Sequence, residues 1–91
     1  MSQSLSETFS IPKELHPLWI RYIEKAASDE EWDKVNKVAV KLLRAKGNTI
    51  GSVLAMSKEE LRLIRGFTGK DEVLLLEILG RIADRPELIR K

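Results

Sequence analysis

Apolar residues along this chain recur at three- and four-residue steps, and no stretch alternates with a period of two. The pattern therefore predicts helices and no strands. Its clearest expression is the run Trp32, Val35, Val38, Ala39, Leu42 and Leu43, which forms one apolar stripe. Lys34, Lys37, Lys41 and Arg44 form a second stripe on roughly the opposite face. Upstream, Ser28-Asp29-Glu30-Glu31 has the spacing of a capping box, and its acids complement the helix dipole. Gly47 is the expected stop.

Other elements are shorter. A first helix is predicted over residues 17–27, with Pro17 at its opening position and Trp19, Tyr22, Ile23 and Ala26 on one face. Thr49 caps one or two apolar turns through Ile50, Val53 and Leu54. Ser57-Lys58-Glu59-Glu60 is a second capping box, opening a short helix through Leu61, Leu63 and Ile64. Gly66 and Gly69 mark a tight loop. A final helix over residues 70–83 is apolar nearly all round, which makes it a central buried helix or one with a partner. A last turn follows Pro86 and ends in Arg90 and Lys91. Residues 1–10 are polar and Ser-rich, and read as a flexible tail. The expectation is thus one all-α domain over residues 11–91, a compact bundle of about five helices.

Composition narrows the chemistry. The chain has 91 residues, 43% hydrophobic and 33% charged, which suits one small folded domain. It has no cysteine, so disulfides, iron–sulfur clusters and thiolate zinc sites are excluded. One histidine, His16, cannot build a histidine-rich metal site. Neither metal nor cofactor is expected. His16 has no nucleophile or metal cluster at usable spacing, so no enzyme is expected either. No apolar run approaches the roughly 18 residues of a membrane span, and the first residues lack a basic then apolar leader pattern. The reading is a cytoplasmic protein. Net charge is only +2, so the placement of cations matters more than their number.

Two helix–loop–helix units follow one another, over residues 42–54 and 61–78. The stretch Leu42-Leu43-Arg44-Ala45-Lys46-Gly47-Asn48-Thr49-Ile50, then Ser57-Lys58-Glu59-Glu60-Leu61, then Ile64-Arg65-Gly66-Phe67-Thr68-Gly69-Lys70, carries a resemblance. It resembles the C-terminal domain of the bacterial RNA polymerase alpha subunit, over residues 35–82. That family is an all-helical bundle with helix–hairpin–helix joints, which binds the DNA minor groove and contacts transcription proteins.

The resemblance implies two DNA-facing sites. On the long helix, Lys37 stands where the family has its main minor-groove arginine, Val40 where it has an asparagine and Lys41 where it has a cysteine. In the hairpin, Gly69 and Lys70 match a Gly-Arg pair, while Asp71 and Glu72 replace Lys-Ser and Thr68 is a one-residue insertion. Lysine lacks the planar fork of arginine, valine cannot hydrogen-bond, and two acids repel phosphate. The nucleic-acid candidates are therefore Lys37, Lys41, Arg44, Gly69 and Lys70.

Each candidate has a plainer reading. The basic stripe follows a phosphate backbone or is simply a solvated helix face. The hairpin cradles a phosphate or is only a tight turn. Arg62 and Arg65 extend the basic patch or are ordinary surface arginines. Trp19, Tyr22 and Trp32 form a partner-binding patch or pack in the core. The expected function is a small transcription-associated module, whose partners are DNA, held weakly, or RNA polymerase or another transcription protein. The alternative is a protein–protein adaptor on the same scaffold.

Overall fold

In the computed structural model, residues 4–45 and 48–89 are described. The fold is all-α. The α-helices are α1 (Leu5–Thr8), α2 (Trp32–Arg44), α3 (Ile50–Leu54), α4 (Lys58–Arg62) and α5 (Gly69–Asp84). Three 3₁₀ helices cover Lys13–Leu15, Ile20–Ala26 and Pro86–Leu88. Gly47, the expected helix stop, lies outside the described residues, as do Arg90 and Lys91.

The two long helices bury the same pattern. In α2 the buried positions are Val35, Val38, Ala39 and Leu42, and in α5 they are Leu75, Ile78, Leu79 and Ile82. Both sets step by three, one and three, which places each on one helical face. These faces meet the 3₁₀ helix Ile20–Ala26, and the three elements enclose most of the core. α5 is therefore amphipathic, not apolar all round. Val73 is exposed, and Leu74 and Leu76 only flank the core.

The opening helix differs from its expectation. Residues 16–20 are held by the segment at 48–51, so no helix starts at Pro17. Gly51 N–H donates to the His16 carbonyl at 2.8 Å, Ile50 N–H to Leu18 at 3.0 Å, and Ile20 N–H to Asn48 at 2.8 Å. The helix that follows is 3₁₀, with three residues per turn. Its buried stripe is accordingly Ile20, Ile23 and Ala26. Trp19 moves out to 50% exposure. Tyr22 stays half-buried, with the Lys25 ammonium 4.6 Å from its ring centroid. Trp32 is also exposed, so the aromatic residues Trp19 and Trp32 are not core.

The expected tail is partly built into the fold. Leu5 is 1% exposed, and its N–H donates to the Met56 carbonyl at 2.8 Å. Ser4 pairs in an isolated bridge with Ser57. An apolar Leu in a polar run is invisible to periodicity, but burying it gains about 1.5–3 kcal/mol.

Local capping follows the sequence closely. The Thr49 hydroxyl accepts from Ser52 N–H and the Ser57 hydroxyl from Glu60 N–H. The Ser28 box forms by half. Glu31 accepts from both the Ser28 N–H and the Ser28 hydroxyl, but α2 starts only at Trp32. Gly66 turns the chain with φ at +82°, a conformation few other residues adopt without strain. Phe67, just after it, is buried as a plug under the loop.

Candidate nucleic-acid interface

The basic face of α2 and the loop before α5 lie side by side. One groove, of about 610 Å³, is lined by Lys34 and Lys37 from α2 and by Thr68, Gly69, Lys70 and Asp71 from the start of α5. Val73, Leu74 and Glu77 complete it. Residues more than thirty positions apart in the chain, Lys37 and Lys70, thus share one surface. Among the described residues, Lys34, Lys37 and Lys70 have no ion-pair partner.

Lys41 is different. Its ammonium lies 2.7 Å from the Asp71 carboxylate, across the seam between α2 and α5. The same Asp71 oxygen accepts from Thr68 N–H at 2.9 Å, and the Thr68 hydroxyl accepts from Asp71 N–H at 3.2 Å. Asp71 therefore closes the capping box of α5 and neutralises Lys41 at once. Burial pushes the Asp71 carboxyl up, but the Lys41 ammonium and the Thr68 N–H outweigh it and hold it below the usual carboxylate range. A carboxylate thus sits at the α5 N-terminus, where a bound phosphate would meet it.

Arg62 is tied in a similar way. Its Nε and Nη2 donate to the two oxygens of Glu72 at 3.1 and 3.4 Å. Glu72 and Asp71 therefore each hold a cation. Val40 is half-buried, and its side chain offers no polar atom.

Arg44 and Arg65 fall in a second groove, of about 740 Å³, on the other side of the Lys41–Asp71 pair. Both are exposed and without an ion-pair partner among the described residues. The candidates Lys37, Gly69 and Lys70 are therefore brought together with Lys34. Arg44 is separated from them, and Lys41 stands between. Trp19 lies outside both grooves, with the Arg21 guanidinium 5.5 Å from its ring. Tyr22 is likewise outside them.

His16 has a structural place. Its Nε2 is 3.1 Å from the Ile11 carbonyl, and its own carbonyl receives Gly51 N–H. Among the described residues no three His, Asp or Glu side chains are grouped to hold a metal ion. No helix among them is long and apolar enough to cross a membrane. Periodicity does not reveal which cations are neutralised, because the partners come from distant elements. The only signal in the sequence is that Asp71 and Glu72 interrupt an otherwise basic loop.

No protein-family model, no curated protein and no solved structure matches this chain.

Proposed function

We propose that the chain is a small nucleic-acid-binding module, similar in scaffold and role to the RNA polymerase alpha C-terminal domain. It holds duplex DNA by its phosphates and works in transcription. The observation that carries this reading is the shared groove of Lys34, Lys37 and Lys70, three ammonium groups on two adjoining helices with no ion-pair partner among the described residues. Flexible lysines neutralise phosphate without reading base edges, so the mode is positioning with little sequence preference. Gly69, with no side chain, leaves the backbone at the start of α5 open to close approach.

A second reading, the protein–protein adaptor, is favoured by the Lys41–Asp71 and Arg62–Glu72 pairs, which neutralise two cations. Salt dependence separates the two. The test is fluorescence anisotropy with a short A·T-rich duplex at two salt concentrations. For a DNA binder, Lys37→Ala plus Lys70→Ala flattens the slope of log affinity against log salt by about two, one unit per lost phosphate contact. An adaptor ignores the duplex even at low salt, and that result sinks the nucleic-acid reading.

A further inference from the structure

The second groove, beside the C-terminal end of α2, is built for something other than phosphate alone. Its lining includes the apolar side chains of Met56, Leu63 and Ile64. Leu63 is 84% exposed, the most exposed large apolar side chain among the described residues. It is carried out by the turn that ends α4 at Arg62 and runs to Gly66. Arg44 and Arg65 rim the groove, neither in an ion pair among the described residues. The single acid on the lining, Glu60, accepts from the Ser57 hydroxyl at 3.4 Å. An apolar lining beside two guanidinium groups that have no ion-pair partner among the described residues calls for an apolar anchor flanked by carboxylates.

The same chain presents such an anchor at the opposite end of α2. Trp32 is the first residue of that helix and is 46% exposed. Asp29, Glu30 and Asp33 surround it in sequence, all exposed and without an ion pair among the described residues. Glu31 is already held by Arg81, and Lys34 is the nearest cation in sequence. The charges follow the helix dipole, acids at its start and bases at its end. The two ends of α2 are thus complementary in charge, and each offers exposed apolar surface. Thirteen residues at 1.5 Å each separate them by roughly 20 Å, too far for Trp32 to reach the groove of its own molecule.

We propose that this chain associates head to tail with a second copy of itself, Trp32 and its flanking acids seating in the groove of Leu63, Arg44 and Arg65. The contact is heterologous, since different surfaces meet, and therefore propagates into open chains rather than closing as a dimer. It is small and partly electrostatic, so it is weak and loosens with salt. It stands apart from the nucleic-acid reading, which uses Lys34, Lys37 and Lys70.

Sedimentation velocity on the full chain tests it. The weight-average sedimentation coefficient rises between about 10 μM and about 1 mM, the range for a weak contact of this size. Two variants each disable one end: Arg44→Glu with Arg65→Glu in the groove, and Asp29→Lys with Trp32→Ala at the tip. Each alone stays monomeric, with unchanged far-ultraviolet circular dichroism. Mixed in equal amounts they form a heterodimer and grow no further, because each retains one working end. A wild-type chain that is monomeric throughout overturns the proposal, as does a mixture that fails to associate. Variants that still self-associate place the contact elsewhere and overturn it too. A monomeric wild type whose duplex binding is lost with the groove variant assigns the groove to nucleic acid instead.

Discussion

Arg81 of α5 grips Glu31 through its two terminal guanidinium nitrogens, Nη1 at 2.6 Å and Nη2 at 3.0 Å, and Nη1 also donates to the Ala26 carbonyl at 3.2 Å. One side chain thereby ties the end of the 3₁₀ helix, the start of α2 and the last turn of α5. The bidentate geometry is the strong form of such a pair. It holds the Glu31 carboxyl at about 2, with the Arg81 hydrogen bond the main cause and the Ser28 N–H the next.

That depression has a signed consequence. The folded-state value lies below the ordinary value of 4.5, so the pair's contribution is complete above about pH 4.5 and is lost as pH falls toward 2. Thermal melts across pH 2–7 therefore show a falling Tm on the acid side. Glu31→Gln lowers Tm at neutral pH and flattens that acid limb. An acid limb unchanged by the substitution would assign it to other carboxylates, Asp71 first among them.

Asp71→Asn releases the Lys41 ammonium while keeping the shape of the cap. The variant binds duplex DNA more tightly than wild type at low salt, with a salt slope steeper by about one contact. Lys41→Met has the opposite sign: it uncovers the Asp71 carboxylate on the groove lining and weakens duplex binding at low salt. Anisotropy titrations at two salt concentrations check both.

Leu5→Ala tests whether the N-terminal segment belongs to the fold. A side chain this buried costs about 2–5 kcal/mol on truncation to alanine. In a domain of this size each kcal/mol moves Tm by roughly 4–8 °C, so the loss is plain in a calorimetric scan. A free tail would tolerate the change with no shift.

Two helical glycines respond in opposite directions. A Cβ at Gly51 would stand 2.9 Å from the His16 Cβ and 3.1 Å from its carbonyl oxygen, where the backbone pairing leaves no room. Gly51→Ala is expected to cost about 1–3 kcal/mol through that overlap. At Gly80 the nearest atom is Phe9 Cε1 at 3.7 Å, an ordinary contact. Gly80→Ala gains about 0.5–1 kcal/mol by stiffening the unfolded chain and favouring helix. Urea titration of the two variants measures both signs.

The sequence by itself determined what depends on near neighbours. The buried faces of α2 and α5 are set by three- and four-residue spacing, and the starts of α3 and α4 by Thr49 and Ser57, whose hydroxyls reach N–H groups three residues on. Such contacts lie within one helical turn, so they are written in the local order of residues.

Tertiary structure decided the rest. Residues 16–20 pair with 48–51, which turns an expected α-helix into a 3₁₀ helix and moves the buried stripe to Ile20, Ile23 and Ala26. Leu5 is buried only because α3 offers it a partner. The basic stripe of α2 is divided by an acid thirty positions from Lys41, which neutralises Lys41 and leaves Lys37 with no ion-pair partner among the described residues. Long-range pairing depends on how the helices pack, and periodicity along a single helix carries no record of what stands opposite it.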